Sequence, residues 1–186
     1  FVGKVKLPEF LQQQLEVQHG PILEVPPVAV IPGESAWTEP QWDLGQCMEV
    51  GTHPGAHFFT IGQRRGLNVG GHAEPLFVIG KDMSRNALFV GESERHPGLH
   101  RRGLSMAAAD VHWIRPDLQP DNHLPMRVLA RFRYRQPLQP ATLTVHGNDL
   151  ATLVFDNPQS GIASGQFAAW HDAETGEEVL GSGVIA

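Results

Sequence analysis

A single cysteine, Cys47, leaves this chain unable to close an internal disulfide and points weakly to a reducing compartment. No apolar run approaches the roughly 18 residues that a membrane-spanning helix needs, so the sequence predicts no membrane partner. A phosphate-cradling Gly-x-x-x-x-Gly-Lys-Ser/Thr loop occurs nowhere, which removes the P-loop class. His-Glu-x-x-His is also missing. His53 and His57, like His96 and His100, are four apart, but Pro54-Gly55 and Pro97-Gly98 keep both pairs off any helix, and no metal site is expected. The chain opens on Phe1 with neither an initiator methionine nor a signal-peptide pattern, which suggests a fragment of a longer polypeptide.

What is present describes a turn-rich globular protein. Hydrophobic residues make up 41% of the 186 positions and charged residues 18%, enough for a real core in one or two domains. Twenty glycines and 15 prolines, with few stretches of helical period, favour β structure. Leu7, Phe10, Leu11 and Leu15 recur at helical spacing behind Pro8, so a short helix is expected there. Strands are expected at Ile22 to Val25, His57 to Ile61, Leu76 to Gly80 and Ala87 to Val90, the last two flanking a polar hairpin turn. Between them, residues 26 to 45 read as a proline-rich, exposed insertion. A polar stretch ending in Pro97-Gly98 marks a domain junction, giving a central domain over 1–97 and a second domain over 98–186. The second shows six short strands, at about 104–113, 125–135, 141–146, 150–155, 166–171 and 178–185. With no helix to cover them, they suggest an antiparallel β-barrel. The fold class is therefore mainly β, a small α+β domain followed by a six-stranded barrel.

The net charge of −6 argues mildly against a nucleic-acid partner, but charge is unevenly placed. In Met126-Arg127-Val128-Leu129-Ala130-Arg131-Phe132-Arg133-Tyr134-Arg135-Gln136 the arginines fall on odd positions, and Val128, Ala130, Phe132 and Tyr134 on even ones. On a strand this alternation predicts a cationic stripe outside and an apolar face inside. A second basic segment, FFTIGQRRGLNVGG, covers residues 58 to 71. Its glycine-rich end has no helix behind it, so it is no dinucleotide fingerprint. Cys47 has no neighbour that would obviously activate it, and spacing alone shows no catalytic constellation.

Taken in order, Phe1-Val2-Gly3-Lys4, Gly51-Thr52-His53-Pro54-Gly55, Thr60-Ile61-Gly62-Gln63-Arg64-Arg65-Gly66-Leu67, Gly80-Lys81-Asp82, Arg133-Tyr134-Arg135-Gln136 and Gly165-Gln166 resemble the C-terminal half of the tRNA-specific 2-thiouridylases. The insertion near 26 to 45 has no counterpart in that pattern. Ala163-Ser164 replaces the family's usual Thr-Pro, Ser182 interrupts a glycine triplet, and His112 replaces a common asparagine, which leaves the local turns open.

The resemblance implies a cytoplasmic enzyme that sulfurates C2 of the wobble uridine of tRNA. It implies ATP with Mg bound by an N-terminal domain, and a persulfide sulfur donor protein as partner. The phosphate loop and both catalytic cysteines would lie outside this chain, the second directly before Phe1, so no catalytic residue is expected here and the chain alone would be inactive. By the same resemblance Arg133, Tyr134 and Gln166 contact tRNA, with a bulge or the strand's end before Pro137 turning the Tyr134 ring outward against its parity, while Gln63, Arg64 and Arg65 support the active-site segment or approach the RNA. A free-standing RNA-binding barrel of translation-factor type, without thiolation chemistry, is the competing expectation. A methyltransferase lacks support because there is no glycine-rich S-adenosylmethionine loop.

Overall fold

The structure is a computed structural model and describes residues 17–147 and 149–186. The helix expected behind Pro8 and the Phe1-Val2-Gly3-Lys4 motif lie outside those residues. The chain divides into two units, residues 1–31 with 42–99, and residues 32–41 with 100–186.

The strands up to residue 99 are β1 (Gly20–Glu24), β2 (Val30–Ile31), β3 (Gln41–Trp42), β4 (Met48–His53), β5 (Leu76–Asp82) and β6 (Ala87–Glu92), all within the first unit except Gln41 of β3. Four of these form a sheet in the order β4-β1-β6-β5, while β2 and β3 make a small ribbon. β1 runs parallel to β6 and antiparallel to β4. Apolar side chains cover both faces of the sheet: Ile22, Val78, Leu88 and Val90 belong to one cluster, and Val25, Ile79, Phe89 and Leu99 to the other. That is why Ala87-Leu88-Phe89-Val90 reads as an unbroken apolar run instead of an alternating one.

Two expectations change here. His57 to Ile61 is not a strand: Ala56–Phe58 forms a 3-10 turn and the chain then loops, because Gly55 and Gly62 take positive φ values of 153° and 82° that no strand accommodates. The proline-rich stretch is not merely an exposed insertion. A 3-10 turn over Pro27–Ala29 buries Ala29, and the Trp42 ring packs 6.0 Å from Phe89. A Cβ on Gly98 would come within 2.9 Å of that ring, so glycine there makes room for it.

The second unit contains β7 (His100–Ala107), β8 (Val111–Trp113), β9 (Pro125–Arg131), β10 (Gln139–His146), β11 (Leu150–Ser160), β12 (Phe167–His171) and β13 (Val179–Val184). They form one antiparallel sheet, β7-β11-β10-β9-β12-β13-β8. The strand expected over 104–113 is broken by a 3-10 turn at Ala108–Asp110. The break has a topological use: the two edge strands are consecutive in the chain, and the sheet curls back to its start. Beyond β13, the Ala186 N–H donates to Ser105 O at 2.9 Å. The period of two sends Leu104, Met106, Val128, Leu143, Leu153, Phe155, Trp170 and Leu180 into one core. Gly181 and Gly183 fit this core closely, since a Cβ on the first would lie 2.6 Å from the Trp170 ring and on the second 2.7 Å from Met106 Sδ. Ser182, between them, is half-buried.

Candidate nucleic-acid interface

The alternation read from the arginine segment holds as far as Phe132. Val128 and Ala130 are buried and Arg127 is exposed. β9 then ends at Arg131, earlier than expected, and residues 132–136 form a turn. Strand parity would have sent Tyr134 into the core; the turn instead leaves it 91% exposed. Gln136 holds this turn. Its Oε1 accepts from the Phe132 N–H at 3.1 Å, and its Nε2 donates to Gln159 Oε1 at 2.9 Å. Gln159 is anchored in turn by donating to Asn157 O. The glutamine of the Arg-Tyr-Arg-Gln motif is thus a staple, a role its spacing did not reveal.

Arg133, Tyr134 and Gln166, separated by up to 33 positions, meet at one shallow, open groove of about 460 Å³, which Arg131, Phe132, Phe167 and Ala169 also line. Arg133 is oriented by donating from Nη2 to Gly161 O at 2.8 Å, with its Cζ 5.9 Å from the Phe132 ring centroid. That carbonyl partner fixes where the guanidinium points. The arginines of the stripe are not equivalent. Arg127 makes a two-bond ion pair with Asp156, at 2.9 and 2.8 Å, which pulls the Asp156 carboxyl below its usual range. Arg131 makes no ion pair or side-chain hydrogen bond among the described residues, and no carboxylate lines the groove.

Gln166 follows a turn that forms despite Ala163-Ser164. Gly165 has φ 79°, the Gln166 N–H donates to Ala163 O at 3.3 Å, and the turn is pinned to the last strand region by Gly165 N–H to Ile185 O and Ile185 N–H to Gln166 O, both at 2.8 Å. The Gln166 side-chain oxygen is buried without a donor. Phe167, the next residue, is 66% exposed.

Gln63, Arg64 and Arg65 lie in the first unit, and each has a distinct place. Gln63 knits its own turn: Oε1 accepts from the Thr60 N–H at 3.1 Å and Nε2 donates to Arg65 O at 2.8 Å. The Val78 N–H donates to Gln63 O and the Gly62 N–H to Val78 O, which ties the turn to β5. Arg64 and Arg65 are exposed. The segment they were expected to support lies outside the described residues. The Gly80-Lys81-Asp82 motif serves the same scaffold: Lys81 Nζ donates to Phe59 O at 3.1 Å, and Asp82 Oδ1 accepts from the Ser84 and Arg85 N–H groups.

The other sequence candidates have structural roles. His53 and His96 are buried, and each ring accepts at Nδ1 from the N–H of the glycine two residues on, Gly55 at 3.0 Å and Gly98 at 3.2 Å. The repeated His-Pro-Gly is therefore a capped turn. Cys47 is half-buried and its Sγ donates to Asp43 O at 3.4 Å. Burial, reinforced by the Asp43 charge, pushes its thiol up, the wrong direction for a nucleophile at neutral pH.

Residues 42–92 match a family model described as the tRNA methyl transferase PRC-barrel domain, and residues 104–185 match one described as the aminomethyltransferase β-barrel domain. Over its whole length the chain is 44% identical to a tRNA-specific 2-thiouridylase MnmA from Christiangramia forsetii and 43% identical to one from Flavobacterium johnsoniae, covering 49% of each. It is 37% identical to the enzyme of that name from Pseudomonas fluorescens, covering 42% of it. The chain belongs to the tRNA-specific 2-thiouridylase family. It spans about half the length of the curated relatives it matches. Membership gives the groove its context: the arginine turn and the Gly165-Gln166 turn both fall within the matched β-barrel region.

Proposed function

We propose that the chain is the tRNA-holding part of a cytoplasmic, ATP-dependent 2-thiouridylase that sulfurates C2 of the wobble uridine. Arg133 would engage a phosphate, Tyr134 would stack on a base, and Gln166 would hydrogen-bond the RNA. The observation that carries this is the groove itself, where an oriented guanidinium, an almost fully exposed tyrosine ring and an amide from a distant turn meet without a carboxylate. RNA recognition uses this combination, cationic groups for the backbone and aromatic rings for unstacked bases.

One glycine-rich stretch of the chain bears on where ATP would sit. The glycine-rich stretch after Arg65 leads through coil into β5 and opens no helix, so nothing there offers phosphate the N–H groups and dipole it needs. ATP with Mg and the persulfide sulfur donor are accordingly assigned to the rest of the enzyme. The chain by itself is expected neither to hydrolyse ATP nor to thiolate tRNA, and Cys47→Ser in the full-length enzyme is expected to leave thiolation unchanged. Gln63 supports its own loop, while Arg64 and Arg65 remain candidates for approaching RNA.

Titration of the full-length enzyme with unmodified tRNA at several salt concentrations tests the assignment. Arg133→Ala should weaken binding by about 1 to 3 kcal/mol and flatten the slope of log K against log salt by roughly 0.7 to 0.9. Tyr134→Ala should cost about 1 to 3 kcal/mol with the slope unchanged, and Gln166→Ala about 0.5 to 1.5 kcal/mol. Wild-type affinity in all three variants would remove the groove from tRNA binding.

A further inference from the structure

Phe167 is a large apolar side chain on the outer face of a strand, 66% exposed. Its neighbours on the strand behave as the barrel requires: Ala168 and Trp170 are buried in the core, and Ala169 faces outward beside it. Only Phe167 puts a ring outside. Its position is set by register. Ala169 pairs with Arg131 across β12 and β9. Continuing that antiparallel register by two positions brings Phe167 opposite Arg133, where β9 has already given way to the turn that carries Tyr134. Ala169, Phe167 and Tyr134 line the same groove.

We propose, resting on the tRNA-binding role assigned to this groove, that Phe167 is a second stacking surface and that the groove takes an unpaired base of the RNA. Two rings, one from β12 and one from the turn after β9, present apolar faces that a base within a duplex cannot reach, because its own faces are occupied by its neighbours. An unpaired base has both faces available. Charge selects the class of occupant: Arg131 and Arg133 border the rings, and Arg131 has no ionic partner among the described residues, so an anionic backbone can follow the base into the groove. The unsatisfied side-chain oxygen of Gln166 supplies an acceptor for a base or ribose donor after a small side-chain movement.

Binding of the full-length enzyme to two probes tests this: an unmodified tRNA transcript, and a blunt RNA duplex of matching length without unpaired bases. Phe167→Ala should lose at least about fivefold in tRNA affinity, keep the salt slope, and bind the duplex as wild type does. Phe167→Trp should retain tRNA affinity. Because the ring is exposed, the thermal midpoint of Phe167→Ala should stay within about 2 °C of wild type; if it falls further, Phe167→Leu replaces it in the same comparison. Tyr134→Ala combined with Phe167→Ala should lose less than the sum of the two if both rings hold one base. Phe167→Ala binding within twofold of wild type, while Arg133→Ala and Tyr134→Ala are weakened, would overturn this inference and leave the tRNA-binding role standing. An equal loss on the duplex would overturn the unpaired base as occupant. If all of these variants bind like wild type, both the stacking role and the groove's role in tRNA binding fail.

Discussion

Charge on a side chain and charge available to a ligand are different quantities, and the arginine stripe separates them. Arg127 and Arg131 lie on the same outer face of β9, four residues apart. Asp156 engages both terminal guanidinium nitrogens of Arg127, whereas Arg131 has no carboxylate beside it among the described residues. Neutralising a phosphate releases a counterion only if the cation was not already neutralised. Arg131→Ala is therefore expected to flatten the salt dependence of tRNA binding by roughly 0.7 to 0.9 in slope, and Arg127→Ala by much less. Equal changes for the two, measured across the same salt series, would mean that the Asp156 pair opens in the complex.

Closure of the second unit depends on a short run, Gly181-Ser182-Gly183, in β13. Alternation points the two glycines to the crowded side, against Trp170 and Met106, and puts Ser182 on the other face. A missing middle glycine therefore costs the strand nothing at the point of closest approach. Gly183→Ala should destabilise by about 1 to 3 kcal/mol through overpacking, while Ser182→Gly should cost no more than about 0.5 to 1 kcal/mol, the backbone entropy that a strand glycine adds. Chemical denaturation of the three proteins checks the ordering; an unaffected Gly183→Ala would show that Met106 moves aside freely. The break at Ala108–Asp110 belongs to the same device, since it lets one stretch of chain pair with β11 at one end and β13 at the other.

Over the whole molecule, stability should fall in two steps as the solution is acidified. His53 is 1% exposed, and burial holds its pKa below the ordinary 6.5. Its Nδ1 accepts a hydrogen bond that protonation would abolish. In this range the unfolded chain binds more protons than the folded one, so the stability is present above pH 6.5 and is lost as pH falls below that value towards the folded pKa. His72 works in the opposite direction, raised by its bond to Glu24, and offsets part of the loss. The second step comes below about pH 4, as carboxyls held low in the fold take up protons. Asp172 is the strongest case, its carboxylate accepting from the Thr175 and Glu178 N–H groups. His53→Asn keeps an acceptor near the Gly55 N–H without the titration. Thermal midpoints from pH 7 to 5 should then decline less in the variant than in wild type; parallel curves would assign the first step to another group.

Sequence alone determined most of the strands, the hairpin between β5 and β6, the turn-rich β class and the motif order that identifies the family. These are local or ordered features: alternation, turn residues and short runs of side chains carry them without reference to distant contacts. The same locality misled the expectation of a strand over His57 to Ile61, where glycines at positive φ prevail over the apolar run. Sequence also named Arg133, Tyr134 and Gln166, and for Tyr134 it set strand parity against a bulge or strand end that would turn the ring outward. Only the tertiary structure decided for the outward ring, because β9 stops where Gln136 and Gln159 staple the following turn. Only the structure separated Arg127 from Arg131, since Asp156 lies 29 and 25 residues away from them. Phe167 joined the groove for the same reason: register across β12 and β9 set its neighbours, and register is a property of the assembled sheet.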